Sequence, residues 1–408
     1  MKFADIRTLL LVIISVIFLS CSGPAEKKAD TANLSWSQIE QQAKGATLTM
    51  AMSMGSKNIN YYMSNYAVPA MKEHYGITLN IVPGQGKTIV TSLMGEKEAG
   101  KEVGQIDLCW INGETFFQLR QIDALYGPYV QQLPNFKYVD TANPIIKYDF
   151  QQEVKGFETP WSLSSFSVIY DTARVAQKPV SMQDFETYWK QHPGKFTISN
   201  DFSGMTILKS WLIELAGGGN ALDGPFDAAK YEKYSTLLWA WMNRNKQYFW
   251  KKGETFPASG TVVSQLYSSG EIDFCLSFND AEVDNKVAEG LFPASSEAII
   301  LQSGAIQNTN YIGITANSGN KAAAMVVCNF LLSPEAQLRK ANINTWGART
   351  VLDLNKLEKE WQEKFDTLPK IKHGLTASDL NGRVIKEPDP QYMLKVFDDF
   401  RKKVIEAN

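Results

Sequence analysis

The first third of the chain alternates apolar, strand-like runs with stretches of helical periodicity. Three runs have the alternation or compact apolar character of strands: residues 46–54, 76–82 and 105–110. Each run ends at a glycine-containing turn, and helical patterns follow at residues 57–75, from residue 88, and at 114–127. Strands that alternate with helices predict a parallel sheet wrapped by helices, which is an α/β fold.

The pattern changes at residues 156–170, where two extended segments meet with no helix between them. This break predicts a crossing between two domains. A second set of elements follows: a helix capped by Ser181, a strand at 195–199, a helix opened by Gly204, a long helix at 231–248 and a strand at 271–278. A further strand leads into an apolar helix, after which Ser333 caps a helix that begins with Pro334. The tail from Val351 is rich in Lys and Glu and predicts solvated helix and loop.

The N-terminus has the pattern of an export signal. Lys2 and Arg7 precede an apolar run at 9–19, which is too short for a helix that spans a bilayer, since spanning takes ~20 residues. Ser20-Cys21 then resembles the lipobox of bacterial lipoproteins, although the two preceding residues depart from its commonest letters. We expect residues 1–20 to be a signal peptide and Cys21 to carry the lipid; the alternative is an uncleaved or differently cleaved signal.

The polar stretch after Cys21 predicts a flexible tether over residues 21–45. The protein is thus expected to be exported and anchored by lipid to a bacterial membrane, facing the periplasm or the cell surface. Without residues 1–20, the chain has 39 Lys and Arg against 42 Asp and Glu. A net charge of −3 gives no broad basic field, so nucleic acid is not an expected partner.

Few residues suggest metal or catalytic chemistry. The odd set Cys109, Cys275 and Cys328 lacks metal-site spacing and predicts small buried apolar side chains. The three histidines form no HExxH pair, and no G-x-S-x-G motif occurs. We therefore expect no metal, no cofactor and no enzymatic activity. A glycosidase that uses only carboxylates stays open as an alternative, because 43 acidic residues allow many pairs.

Several segments resemble a known family. The sequence "NTNYIGITANSGNKAAAMVVCNFLLSPEAQ" is similar to the segment by which extracellular solute-binding proteins of ABC importers return to their first domain. "IDLCWINGETFFQLRQIDALYGPY", "PWSLSSFSVIYDTAR" and "SGEIDFCLSFND" resemble its YnjB-like branch. The similarity covers essentially the whole chain in order.

The resemblance implies a two-lobed periplasmic-binding fold of type II, in which crossing strands form a hinge and a solute lies between the lobes. Lobe one is then expected at 46–163 plus 304–345, and lobe two at 164–303 plus 346–408. It also implies a monomer that captures a small solute and delivers it to an ABC permease and ATPase complex. A sensor lipoprotein on the same fold is a further alternative, because fold does not fix function.

Ligands of open parallel sheets lie beyond the carboxyl ends of the strands, where turns meet helix N-termini. This rule selects the candidate ligand-binding residues Gly55, Ser56, Gly84, Gln85, Gly86, Lys87, Trp110, Asn112, Glu114, Ser203, Gly204 and Asn279; Trp161, at the crossing, and Tyr311 and Trp346 complete the set. Free backbone N–H groups at the turns could hold a polar solute.

Each candidate also has a purely structural alternative: glycines make tight turns, Lys87 can be a solvated residue, Asn112 can cap a helix, and tryptophans can pack in a core. The motif "PGQGKT" ends as a phosphate-binding P-loop does, but Ile81 stands where that loop needs its first glycine. The glycines and Lys87 favour an anionic solute, whereas Trp110, Trp161 and Glu114 favour a cation or a sugar. The sequence does not rank these classes.

Overall fold

The computed structural model describes residues 31–407. The lipidation and signal-peptide predictions at residues 1–21 lie outside this range. Eleven strands are present: β1 (Thr47–Met52), β2 (Thr78–Pro83), β3 (Leu108–Ile111), β4 (Tyr148–Asp149), β5 (Gln152–Glu153), β6 (Glu158–Ser165), β7 (Ser167–Asp171), β8 (Phe274–Ser277), β9 (Ser296–Ile299), β10 (Ala305–Ile314) and β11 (Val384–Lys386) in the described residues.

Sixteen α-helices lie among them in residues 31–407: α1 (Trp36–Ala43), α2 (Lys57–Tyr62), α3 (Val68–Tyr75), α4 (Lys87–Glu98), α5 (Gly113–Gln121), α6 (Pro144–Lys147), α7 (Met182–Gln191), α8 (Phe202–Ala216), α9 (Ala228–Asn245), α10 (Gly260–Ser268), α11 (Glu282–Ala288), α12 (Lys321–Leu331), α13 (Pro334–Ala341), α14 (Lys359–Asp366), α15 (Ala377–Leu380) and α16 (Pro390–Phe400). None of the helices in this range is both long and apolar enough to cross a bilayer.

The larger sheet has the order β11-β10-β3-β1-β2, and β6 also pairs with β10. β1 is parallel to β2 and β3, as the alternation of strands and helices predicts. β10 runs antiparallel to β3 and β6 and parallel to β11. The predicted crossing corresponds to β6 and β10, whose pairing runs from Glu158 to Ser165.

The second sheet has the order β8-β7-β9 and is antiparallel throughout, a pairing that the sequence pattern did not predict. The predicted strand at 195–199 is wrong, because this segment joins no ladder. The carbonyls of Lys195 and Phe196 instead accept single bonds from the N–H groups of Asp273 and Trp250. A segment whose apolar residues alternate does not form a strand unless another strand pairs with it.

Two core regions hold the fold together. The first core region packs on both faces of the larger sheet and includes Met50, Leu108 and Ile312 on one face and Cys109 and Tyr311 on the other. The second core region lies around α7, α8, α9 and α16 and is rich in aromatic side chains. Cys109, Cys275 and Cys328 are buried, as predicted, and all three are free.

Local signals placed several helices correctly. The Ser181 hydroxyl accepts from the N–H of Asp184 in a capping box that opens α7. Ser333 accepts from the N–H of Ala336, and Pro334 stands at the first position of α13. The helix assigned to Gly204 begins earlier, at Phe202, because Asp201 is its cap.

The two ends of the described chain differ from the prediction. The prediction of a flexible tether through residue 45 is wrong for the residues of α1. Ser35 and Gln38 form a capping box there, and Ile39 and Ala43 are buried against α12. The tail is not merely solvated, since α16 buries one apolar face that includes Met393 and Val396.

The tail also divides between the two core regions. Its residues from Trp346 to Phe365 contribute to the first core region, and α16 contributes to the second. The lobe boundaries stay a prediction, but this packing favours moving residues 346–368 to lobe one.

Candidate functional site

Three turns of the first core region meet at one edge of the sheet. β1, β2 and β3 are parallel and end at Met52, Pro83 and Ile111, so the turns that follow them are neighbours. They hold the predicted residues Gly55 and Ser56, Gly84 to Lys87, and Asn112 to Glu114. A Cβ on Gly86 would lie 3.9 Å from the Thr115 hydroxyl oxygen, so the second and third turns adjoin.

The turn before α4 can present a free donor. Gly86 has φ +48° and ψ −123°, a conformation open in practice only to glycine. Within residues 31–407 its N–H group donates no backbone hydrogen bond. Lys87 is exposed beside it at the first position of α4. This is the arrangement expected of a backbone site for a polar group.

On the side of the second core region, Asp201 binds the N-termini of two helices, α8 and α10. One of its carboxylate oxygens accepts from the N–H groups of Ser203 and Gly204, at 3.1 and 3.3 Å, and the other from Gly260 at 2.7 Å. The expectation of free N–H groups at Ser203 and Gly204 is therefore wrong. Gly204 is required for close packing, because a Cβ there would lie 1.7 Å from the Ser199 carbonyl oxygen.

The two sides touch at the turn after β1. A Cβ on Gly55 would lie 3.1 Å from the hydroxyl oxygen of Thr261 in α10. The Lys57 ammonium lies 3.6 Å from the Glu289 carboxylate, just beyond the end of α11. Ser56 caps α2 through the N–H of Ile59 at 3.5 Å, so its hydroxyl has a structural use. The turn after β1 is therefore in contact with both α10 and the segment after α11.

Aromatic side chains and an amide meet near the end of β3. Trp110, near the end of β3, donates its indole N–H to the Asn310 carbonyl oxygen at 3.1 Å. Its ring meets that of Trp161 edge to face, with centroids 5.4 Å apart, and Trp161 meets Trp346 at 5.0 Å. Trp161 and Trp346 are 0% and 3% exposed, whereas Trp110 is only partly buried. Of these three predicted residues, Trp110 alone offers appreciable surface.

An ion pair between a half-buried guanidinium and a buried carboxylate joins the segment after α13 to the loop after β8. Arg349 pairs with Asp280 and donates to the Ser165 hydroxyl at 2.6 Å. Burial raises the pKa of Asp280, and the Arg349 guanidinium opposes that shift. Asn279 belongs to the same junction, because its amide donates to the Trp346 carbonyl at 3.2 Å and to Asn285 at 3.0 Å.

Glu114 lies in a group of buried charged side chains with Asp149, Lys209 and Glu387. Lys209 and Glu387 form an ion pair, and Asp149 accepts from the N–H of Gly113 at 2.5 Å. Burial raises the pKa of Glu114 to about 7, with Glu387 adding to the shift and Lys209 opposing it. Burial likewise raises the pKa of Asp149. Within residues 31–407 no group of three His, Cys, Asp or Glu side chains could hold a metal ion.

Two other predicted residues have distinct surroundings. Tyr311 is fully buried on the sheet face opposite Trp110, and its hydroxyl donates to the Ile146 carbonyl at 2.9 Å. Asn112 stands at the start of α5 but its side chain makes no capping hydrogen bond. The structural alternative for Asn112 is thus wrong, and its amide is available between the turns.

The sequence reasoning missed Asn310, Arg349 and Asp201. A signal for the first was present, because the buried crossing strands contain polar residues: Ser162, Ser164 and Ser165 in β6, and the run from Gln307 to Asn310 in β10. The Asn310 amide donates to the hydroxyls of Ser162 and Ser164, at 3.1 and 2.5 Å. Such a pattern indicates a polar face on a buried strand.

Comparisons with known proteins agree with this architecture. Residues 65–368 match the family described as bacterial extracellular solute-binding protein. Protein YnjB of Escherichia coli K12 is 35% identical over 336 residues, which are 81% of this chain and 86% of that protein.

Two solved structures share the fold. The periplasmic binding protein AfuA of Actinobacillus pleuropneumoniae, with exogenous fructose-6-phosphate bound, aligns with a TM-score of 0.62 at 14% identity and covers 88% of this chain and 98% of its own. The TpPotD lipoprotein of Treponema pallidum aligns with a TM-score of 0.62 at 14% identity, covering 88% and 99%. The fold is thus the two-lobed α/β fold of periplasmic binding proteins, and the chain belongs to the bacterial extracellular solute-binding protein family.

Proposed function

We propose that this protein is the solute-binding component of an ABC importer. It captures a small polar solute between its lobes and delivers it to a membrane permease, chemically unchanged. The observation that carries the proposal is the close approach of the turn after β1 to α10 and to the end of α11, where Gly55 lies beside Thr261 and Lys57 pairs with Glu289.

The proposed contacts fall on both sides. The free N–H of Gly86, the exposed Lys87 and the uncommitted amide of Asn112 would bind the solute from the first side. The Ser203 hydroxyl would bind it from the second side. A solute that contacts both sides stabilises the closed arrangement over an open one, and a permease can distinguish the two. We further propose that the protein acts as a monomer held to the membrane through lipid on Cys21.

Binding by many weak contacts is expected. Micromolar affinity corresponds to about −8.2 kcal/mol, whereas one neutral hydrogen bond contributes roughly 0.5 to 1.5 kcal/mol. Loss of one contact should therefore weaken binding without abolishing it. Asn112→Ala and Ser203→Ala are each expected to weaken binding about 2- to 12-fold, and Ser64→Ala and Asn65→Ala, both on an exposed surface, should have no effect.

The test combines a thermal-shift screen with small-angle scattering. A true solute at ~100 times its dissociation constant adds about 2.7 kcal/mol of stability, and the same solute should reduce the radius of gyration. Binding without compaction, or binding that only one of the two site variants weakens, would count against capture between lobes. Release of a converted product by the purified protein would favour a hydrolase instead.

A further inference from the structure

The hairpin formed by β4 and β5 reaches from the first core region into the second. We propose that Phe150, at the tip of this hairpin, is a positioning residue that holds the two sides of the proposed solute site at a fixed separation. The proposal rests on the proposed function and adds to it a residue that acts through its neighbours Gly113 and Phe202.

The base of the hairpin is fixed to the larger sheet and the first core region. Just before β4, the Ile146 carbonyl accepts from the hydroxyl of Tyr311 in β10 at 2.9 Å. The Ile145 carbonyl likewise accepts from the Thr309 hydroxyl at 2.7 Å. Just after β5, Val154 packs against the first core region. Both ends of the hairpin are therefore held on the first side.

The tip of the hairpin is buried in the second core region. Phe150 and Gln151 form the two-residue turn between β4 and β5, and Phe150 is 2% exposed among the aromatic side chains of that region. The Gln151 amide donates to the Glu387 carbonyl at 2.9 Å, and its oxygen accepts from the N–H of Gly224 at 2.6 Å. The hairpin therefore connects the two core regions.

The backbone of the tip shows that these contacts determine its conformation. Phe150 has φ +43° and Gln151 has φ +63°. A two-residue hairpin turn with positive φ at both positions is normally built from Asn and Gly, because other residues are strained there. Such strain persists only where the surroundings hold it in place. The tip is thus placed by its burial and its hydrogen bonds, and not by its own turn preference.

The Phe150 ring lies between the two sides of the proposed site. On the first side it lies against Gly113, in the turn after β3, where a Cβ would be 2.5 Å from the ring. On the second side it meets the ring of Phe202, the first residue of α8, with centroids 6.2 Å apart. Because a packed interior leaves little free space, neither turn can move towards the other without displacing this ring.

The test measures a distance across the protein without solute. Spin labels are carried by non-natural side chains at Asn65, after α2, and at Glu232, in α9, both of which are exposed. Pulsed electron paramagnetic resonance then gives the distribution of distances between the labels. Phe150→Ala should widen this distribution about twofold, because the two sides can then move independently. Phe150→Leu keeps most of the bulk and should restore the parent distribution.

Two controls separate positioning from stability. Phe249 is 1% exposed and packs within the second core region against Trp189 and Phe196. Phe249→Ala should lower the urea midpoint as Phe150→Ala does, but should leave the distance distribution unchanged. Glu153→Gln breaks an exposed pair with Lys147 at the base of the hairpin and should change neither quantity.

A second pair of variants decides the matter if Phe150→Ala does not fold. Gln151→Ala removes both amide hydrogen bonds and keeps the strained backbone, so the tip should be released and the distribution should widen. Gln151→Gly removes the same bonds but relieves the strain, so it should widen the distribution less. Equal distributions for these two variants and the parent would overturn the proposal.

Failure of this proposal can be told from failure of the proposed function. An unchanged distribution in Phe150→Ala, or equal widening in Phe249→Ala, overturns the positioning role. Neither result affects solute capture, which is judged by compaction of the parent protein with solute. A distribution that widens only in the variants of the hairpin tip supports the positioning role, even if the solute screen fails and the importer function is rejected.

Discussion

The Lys57 ammonium lies 3.6 Å from the Glu289 carboxylate and joins the turn after β1 to the segment after α11. Lys57 is 75% exposed, and a pair of this kind contributes ~0–1 kcal/mol. Lys57→Ala should therefore weaken solute affinity by at most about fivefold, since closure loses one contact. Calorimetric titration in low salt and at 0.5 M NaCl checks this, because added salt should remove most of the difference.

The matched control is Lys364→Ala, which breaks an exposed pair with Glu360 on α14 and should leave solute affinity unchanged. Glu289 also lies 3.6 Å from Lys286, so Lys57→Ala does not leave it without a cation. A loss of affinity far above fivefold would mean that Lys57 touches the solute itself.

Glu114 predicts a pH dependence of stability. Its pKa is raised by burial from its ordinary value to about 7 in the folded protein. Below its ordinary pKa the group holds its proton in both states, and between that value and about 7 only the unfolded state ionises, so the unfolded state is increasingly favoured as pH rises to about 7. Stability from this group is thus lost with rising pH, by up to about 3 kcal/mol.

Glu114→Gln should remove that loss and unfold at higher denaturant concentration than the parent protein at pH 8, but not at pH 4. Urea unfolding followed across this range measures it. Glu363→Gln, at an exposed position of α14, is the control and should leave the pH profile unchanged. Identical profiles for Glu114→Gln and the parent would contradict the prediction.

Lys209 is the positively charged residue in the buried group that contains Glu114, Asp149 and Glu387. Its side chain is 1% exposed, and that of its partner Glu387 is 2% exposed. Lys209→Met leaves Glu387 buried without its partner, which should cost ~3–5 kcal/mol of stability. The measurement is the unfolding free energy from guanidinium titration. If the single variant does not fold, the double variant with Glu387→Gln should, since it removes the uncompensated charge.

The comparison for Lys209 is Lys386→Met, which breaks a more exposed pair with Asp223 at 3.2 Å. Its cost should stay within about 1 kcal/mol. If the two lysine variants lose equal amounts of unfolding free energy, burial of the Lys209–Glu387 pair does not affect how much stability is lost when the pair is broken.

Position 113 requires glycine for two reasons, its backbone conformation and the closeness of the Phe150 ring. It has φ +49°, and a Cβ would lie 2.5 Å from the Phe150 ring. Gly113→Ala should therefore cost ~2–4 kcal/mol, through strain and displacement of that ring. Gly76→Ala, with φ +68° and only an ordinary 3.7 Å contact, should cost ~1–2 kcal/mol. Thermal unfolding of the two variants checks the difference.

Local chemistry made much of the fold predictable. Ser181 and Ser333 act within four residues of themselves, so their caps can be recognised in the sequence. The order of strands and helices and the crossing at β6 follow from periodicity in the same way. The antiparallel second sheet could not be predicted, because pairing depends on partners about 100 or more residues apart.

The site was predictable only as a set of turns. The bonds that define it join residues far apart in sequence: Asp201 to Gly260, Ser165 to Arg349 and Trp110 to Asn310 are separated by 59, 184 and 200 residues. The bonds from Ser203 and Gly204 to Asp201 are local and follow the N-cap pattern, whereas the bond from Gly260 has no local signal. The buried Tyr311 was selected by its place in the chain, whereas the face on which it lies is set by strand register.

All ten residues of β10 are buried, with Ile306 in the second core region and Ile312 in the first. One unbroken strand therefore serves both halves of the molecule. If the chain is divided into two separately expressed fragments, one of them lacks a strand that its interior needs, so that fragment is not expected to refold in isolation. Two such fragments would have to reassemble around β10. A complementation assay is therefore best designed by dividing the protein at this strand.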